Sequence, residues 1–308
     1  MRALMPQAEL SAPSQPDGTA EDLPRRRGPR ALSHARPVLK WAGGKSQLLD
    51  KVLARLPERI KTYYEPFIGG GAVFFALAER ERFERAVLSD TNDDLVCVYR
   101  AIQTDVQALM RALSKLARQH SEEHYYAVRA RKPRSPVQRA ARMIYLNKTG
   151  YNGLYRVNRS GQFNVPFGRY DNPTIVDEAA LLSAARVLKH VRLETLDFEA
   201  SCKRARRGDA VYFDPPYLPV SKTSSFAAYD RHPFGLPQHE RLARVFGALG
   251  SRGVPAILSN SLTDETAALF GSFHHEVVQV TRPINCKAGG RGRIPELLVE
   301  NRPKLRRA

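Results

Sequence analysis

The chain has 308 residues, with 49 Lys and Arg against 31 Asp and Glu and a formal net charge of +18. That length can bury a full α/β core and a smaller inserted unit, and so large a basic excess marks a polyanion as partner. There is no apolar run long enough to cross a bilayer and no apolar secretory leader. Cys97, Cys202 and Cys286 stand apart, which supports neither a disulfide framework nor a cysteine-based zinc site and fits a reducing, cytoplasmic setting.

Residues 1–36 are rich in Pro, Arg, Ala and Ser without apolar periodicity and read as a disordered basic tail, so the fold is expected from Pro37. Leu48, Leu49, Val52, Leu53 and Leu56 recur at helical spacing up to Pro57. Tyr63 to Phe67 reads as a strand entering Ile68-Gly69-Gly70-Gly71, followed by a helix from Ala72 to about Arg80. Ala86-Val87-Leu88-Ser89 is the next strand, closing on Asp90, and Asp93 to about Arg118 is one helix. This is a β-α-β unit at the front of a doubly wound sheet.

From Glu122 to about Asn172 the pattern changes to short helices and then to a Gly, Asn and Arg rich stretch. Here Arg129, Arg131, Lys132, Arg134, Arg139, Arg142, Lys148, Arg156, Arg159 and Arg169 interleave with Tyr125, Tyr126, Tyr145, Tyr151, Tyr155 and Tyr170. Such mixing suits phosphate contact with base stacking. Asn158-Arg159-Ser160-Gly161 between alternating flanks reads as a β-hairpin turn. Ile175 to Val187 is then helical and Val191 to Glu194 a strand, followed by the run Asp209 to Phe213. A helix over Pro237 to Leu249, a strand over Ala256 to Asn260 and late strands at Val277 to Val280 and Glu296 to Asn301 complete the pattern.

Two motifs carry chemistry. The glycines after the first strand let the backbone approach a ligand, and Asp90, about 20 residues on, has the spacing of an acid that holds ribose hydroxyls. A dinucleotide and S-adenosylmethionine compete for such a site; Phe74 stands where a full Gly-x-Gly-x-x-Gly needs its third glycine, which favours S-adenosylmethionine. Gly43-Gly44-Lys45-Ser46 is no P-loop, because Leu39 stands at the first glycine position and no strand leads in. The second motif is Asp214-Pro215-Pro216-Tyr217 at the end of a buried strand, where a carboxylate, outward carbonyls and a π-face form a clamp for a flat, amine-bearing ring.

With Lys40-Trp41-Ala42-Gly43-Gly44-Lys45, Glu65 to Gly71, Asp90-Thr91-Asn92, Asn164 to Tyr170 and Asp214 to Tyr217 in this order, the chain resembles the Dam-type, alpha-group DNA adenine N6-methyltransferases over residues 37 to about 301. The resemblance implies a Rossmann-like α/β methyltransferase sheet (37–118 and 174–303) with an inserted, mainly helical DNA-recognition domain (119–173) carrying the hairpin. It implies catalysis by Asp214, Pro215, Pro216 and Tyr217 and S-adenosylmethionine held by Trp41, Lys45, Phe67, Gly69, Gly71, Asp90, Asp197, Phe198 and Asp214. It also implies DNA contacts by Lys40, Arg129, Tyr151, Asn152, Leu154, Arg156, Asn158, Pro166, Arg169 and Tyr170. The expected reaction is methylation of a flipped adenine in duplex DNA, with GATC as target, by a monomer that needs no metal and no membrane. Asp171 departs from relatives that carry a Lys there. The competing readings are an RNA or protein amino-methyltransferase, a silent DNA-binding regulator, and a magnesium nuclease built on Asp90, Asp93 and Asp94.

Overall fold

The computed structural model describes residues 34–41, 47–158, 160–219, 234–281 and 293–303. Lys45, Arg159, Cys286, the Gly43-Gly44 pair and residues 1–33 therefore lie outside the described residues. The packed chain reaches back beyond Pro37: the Ala35 amide donates to Glu79 Oε1 at 2.9 Å and Arg36 pairs with Asp177 at 2.7 Å.

The elements in chain order are α1 (Leu49–Arg55), β1 (Ile60–Glu65), α2 (Ala72–Glu79), β2 (Phe83–Asp90), α3 (Asp93–Arg118), α4 (Glu122–Ala130) and α5 (Pro136–Thr149). After a single 3₁₀ turn at Tyr151–Gly153 come α6 (Glu178–Leu188), β3 (Arg192–Thr195), α7 (Phe198–Cys202), β4 (Ala210–Phe213), α8 (Leu236–Ser251), β5 (Ala256–Ser261), α9 (Asp264–Phe270), β6 (Phe273–Thr281) and β7 (Arg293–Pro303). Among the described residues the strands form one sheet in the order β3-β2-β1-β4-β5-β7-β6. β1 to β5 are parallel and β7 alone runs against its neighbours.

Both faces are covered, which is why the parallel strands read as continuous apolar runs. Tyr63, Ala86, Leu88, Tyr212 and Ile257 point into a core shared with α1 to α6, while Tyr64, Val211, Phe213 and Leu258 point into a second core under α7 to α9. Tyr125, Val128, Ile144 and Leu146 of α4 and α5 belong to the first core, so the segment expected as an insert packs continuously with that face of the sheet. α3 is interrupted at Asp105 (φ −153°, ψ 72°), whose side chain caps the second half by accepting from the Ala108 amide at 2.8 Å. Residues 198–202 and 264–270 form short helices that apolar periodicity does not mark; both start on side-chain caps, Asp197 and Thr263.

Candidate active site and nucleic-acid interface

β1 and β4 lie side by side at the centre of the sheet, where the strand order reverses. Ligands of open α/β sheets bind in the crevice outside the carboxyl ends of such strands. β1 opens into the glycine loop. Gly69 (φ 45°) and Gly71 (φ 70°) are left-handed, and a Cβ on Gly69 would stand 2.8 Å from Trp41 Cδ1. Backbone geometry and the closeness of the indole both demand glycine there. Tyr99 Oη donates to the Gly69 carbonyl at 2.8 Å, and Gly71 caps α2, whose first turn carries no acid. At the end of β2, Asp90 accepts from the Asn92 amide at 2.9 Å and from the Gly69 amide at 3.4 Å. The carboxylate is thereby bound to the loop it faces.

β4 opens into Asp214-Pro215-Pro216-Tyr217. Ser259 Oγ donates to Asp214 Oδ1 at 3.0 Å, and Tyr212 Oη lies 2.9 Å from the same serine. Tyr217 is half-buried, with its hydroxyl turned inward to donate to Glu296 Oε2 at 3.0 Å. Burial, with Asp214 and Glu296 adding, raises that phenol well above its usual range. Pro215 is buried and Pro216 exposed.

Phe67 and Phe198 stack directly, with ring centroids 5.5 Å apart. A third ring between them needs roughly 7 Å, twice a van der Waals contact, so this stack leaves no slot for a nucleobase. Phe198 is buried, and the Arg241 guanidinium lies 4.4 Å over its ring. Asp197 caps α7 through the Glu199 amide at 3.0 Å and is ion-paired to Arg241.

The basic and aromatic segment divides into an inward and an outward set. Tyr125 and Tyr145 are fully buried. Arg139 bridges Asp93 and Asp94, at 2.9 and 2.5 Å. Arg142 donates to the Val128 and Arg129 carbonyls at 3.1 and 2.6 Å, and burial lowers its pKa. For these four residues, the expectation of phosphate contact and stacking is corrected: they build the core and its polar links. Asp93 and Asp94 likewise open α3 as a capped, Arg-paired turn, and among the described residues no group of three or more His, Cys, Asp and Glu could hold a metal ion.

The outward set clusters around the hairpin. Tyr151 and Tyr170 are 53% and 41% exposed. Arg156, Pro166 and Arg169 are exposed, while Asn152 and Leu154 are half-buried. The turn is real: Asn158 N donates to Gln162 O at 2.8 Å, and Asn164 N to Arg156 O at 3.0 Å. Asn158 spends its side chain on the turn, accepting from Gln162 N at 2.9 Å, and Arg156 reaches Asn164 Oδ1 at 2.8 Å. Arg129 donates to the Val165 carbonyl at 3.0 Å and lies over the Tyr126 ring at 4.7 Å. At the hairpin root Tyr155 stacks on Trp41 with centroids 5.3 Å apart, and the Lys40 backbone is bound on both sides by Asn147. The glycine loop, Trp41 and the hairpin are thus contiguous.

A doubly wound sheet with a ligand loop and an Asp-Pro-Pro-Tyr turn meeting at its switch point defines a methyltransferase that acts on a ring amine. Residues 41–284 match the D12 class N6 adenine-specific DNA methyltransferases, and the chain belongs to this family. It is 42% identical to the type II methyltransferase M.MjaIII of Methanocaldococcus jannaschii, over 86% of this chain and 99% of that protein. It is 41% identical to the type II methyltransferase M1.LlaDCHI of Lactococcus lactis, over 86% and 95%. With the DNA adenine methylase of Escherichia coli K12 the identity is 37%, over 87% and 96%. The protein is a site-specific DNA adenine N6-methyltransferase.

Ser259, Glu296, Asn147 and Arg241 organise this site but carry no motif. The one sequence signal for them is polarity out of place, most plainly Ser259-Asn260-Ser261 closing an apolar strand.

Proposed function

We propose that the enzyme uses S-adenosylmethionine to methylate an adenine flipped out of duplex DNA, with GATC as the target. The observation that carries this reading is the placement of the Asp214 turn beside the glycine loop at the switch point. The loop fits the cofactor: a side chain on Gly69 would fill the space against Trp41, and Asp90 supplies a carboxylate for ribose hydroxyls. Trp41, Phe67, Gly69, Gly71 and Asp90 hold it, and once bound it supplies an electrophilic sulfonium methyl. With Phe67 stacked directly on Phe198, this reading takes the cofactor's adenine outside that pair, with Asp197 and Phe198 as the wall behind it.

Asp214 and the Pro215 carbonyl accept the two hydrogens of the adenine amine, drawing its nitrogen toward tetrahedral geometry and freeing its lone pair. Tyr217 presents its ring face to the base. Flipping costs a few kcal/mol, offset by contacts from the hairpin and Lys40. Residues 119–173 act as the recognition insert, with Tyr151 at the vacated stack, Leu154, Arg156 and Pro166 toward the bases, and Arg169 and Tyr170 at the backbone. Asn152, Asn158 and Arg129 shape the hairpin, and one hairpin with one pocket reads the site as a monomer.

The test is transfer of labelled methyl to plasmid DNA with and without GATC, using wild type and Asp214→Ala. N6-methyladenine confined to GATC and lost in the variant, with DNA binding retained, is the expected result. Turnover by Asp214→Ala would overturn the catalytic assignment, and methylation outside GATC would overturn the target.

A further inference from the structure

β5 closes on Ser259-Asn260-Ser261, and all three are fully buried. Three polar side chains inside a sheet are costly unless each is bound, and nothing in the packing of two apolar layers calls for them. Their oxygen atoms are all bound, and only Asn260 Nδ2 finds no partner among the described residues. Ser259 Oγ donates to Asp214 Oδ1 at 3.0 Å. Asn260 Oδ1 accepts from the Leu218 amide at 3.3 Å, and Ser261 Oγ donates to the Leu218 carbonyl at 2.6 Å. In the antiparallel ladder Ser261 lies opposite Glu296 and Ser259 opposite Leu298. Opposed residues share a face and strand residues alternate faces, so Glu296 stands on the same face as Ser259 and Ser261. From there it accepts the Tyr217 hydroxyl at 3.0 Å. The turn from Asp214 to Leu218 is therefore seated on the polar ends of two neighbouring strands.

We propose that Ser259 and Glu296 are positioning residues for methyl transfer, Ser259 setting the plane of the Asp214 carboxylate and Glu296 setting the ring of Tyr217. The inference rests on the roles given above to Asp214 and Tyr217. A carboxylate torsion is broad and two-fold by itself; anchoring one oxygen fixes where the carboxylate meets an amine. Tyr212 Oη, 2.9 Å from Ser259 Oγ, fixes the serine in turn. Tying the Tyr217 hydroxyl inward leaves the ring only its face to offer.

The experiment is single-turnover methylation of a short duplex by the full-length enzyme, with separate titrations of DNA and methyl donor. Ser259→Ala lowers the transfer rate about 10- to 100-fold, the scale of a small misplacement of reacting groups. Its DNA and donor affinities stay within about two-fold of wild type, the scatter of independent sites. Ser259→Thr, which keeps the hydroxyl, restores most of the rate. Glu296→Gln, which keeps an acceptor, holds the rate, and Glu296→Leu does not. Should Ser259→Ala fail to fold, Ser259→Cys keeps the volume with a weak donor and is judged by the same criteria. An unchanged rate in Ser259→Ala, or a rate loss accompanied by an equal loss of DNA or donor affinity, overturns the inference; full activity of Asp214→Ala instead overturns the reading of the turn.

Discussion

Asn147 is the polar joint of this molecule, and replacing it tests the architecture directly. It sits near the end of α5, 4% exposed. Its Oδ1 accepts from the Lys40 amide at 3.0 Å, and its Nδ2 donates to the Lys40 and Gly153 carbonyls at 2.8 and 2.9 Å. One side chain thus ties the Lys40-Trp41 segment to the turn that carries Tyr151. Asn147→Ala deletes all three bonds and leaves an amide and two carbonyls without their partner. At about 1 kcal/mol per bond the loss is about 3 kcal/mol, a large fraction of the 5–15 kcal/mol typical of a whole fold. Asn147→Asp keeps the acceptor for Lys40 but sets a carboxylate against two carbonyl oxygens, so at neutral pH it does no better than alanine. Urea unfolding gives the number, read from the shift in midpoint at constant slope. The folded fraction of Asn147→Ala also binds methyl donor more weakly, because Trp41 follows directly on the released Lys40. A loss below about 1 kcal/mol, within the net value of a single bond, would refute the assignment of all three contacts to stability.

Other perturbations follow from the same geometry. Gly69→Ala forces a side chain into left-handed backbone, costing about 1–2 kcal/mol, and sets its Cβ 2.8 Å from Trp41 Cδ1; donor affinity falls about ten-fold or more, and an unchanged titration would contradict the cradle. Burial lowers the pKa of His120, His124 and His239, with His124 adding for the first and Arg131 for the second. Below about pH 6.5 the unfolded chain takes up protons that the folded chain refuses, so stability is level above that pH and falls as pH drops toward the folded values. A urea midpoint that holds or rises from pH 7.5 to 5.5 would contradict this. Arg169→Gln, at the backbone, reduces the slope of log affinity against log salt by about 0.9, while Arg156→Gln, toward the bases, weakens binding to the target site more than to other DNA; a wild-type slope for the first or an equal loss on all sequences for the second would contradict these places.

Much of the fold was legible because it rests on local signals. α3 opens at Asp93 as read, behind the Asn92 cap, and the strands at Ala86, Val191, Val211 and Ala256 stand where apolar runs meet turn residues. α7 and α9 were not legible: the five residues of α7 are too few to show a helical period, and α9 has its apolar residues in one run, Ala267 to Phe270, instead of at helical spacing; their caps at Asp197 and Thr263 were the only sign. Spacing places Asp105 inside one long helix, because the apolar stripe continues through it and a capping carboxylate breaks no period. The start at Pro37 came from composition alone, which is blind to a single buried Ala35 or to the pairing of Arg36 with Asp177.

The site divides along the same line. Asp90, Gly69, Gly71 and the Asp214 turn were legible because each must be one residue type at one strand end. Glycine is required by a positive φ, and the acid by its place after a strand. The supporting residues are set by pairing across the sheet, which a single sequence does not display: Glu296 is far from Tyr217 in the chain and reaches it only because β7 is inserted, reversed, beside β5. Charge failed for a different reason. A one-dimensional count treats Arg139, Arg142 and Arg156 alike, yet Arg139 is already neutralised by Asp93 and Asp94, and Arg142 is half-buried and turned to the Val128 and Arg129 carbonyls, while Arg156 is exposed. The net charge of +18 therefore overstates what the recognition face offers. On the proposed reading, DNA affinity follows the exposed cations of the hairpin segment, Arg156 and Arg169, together with the exposed Tyr151 and Tyr170.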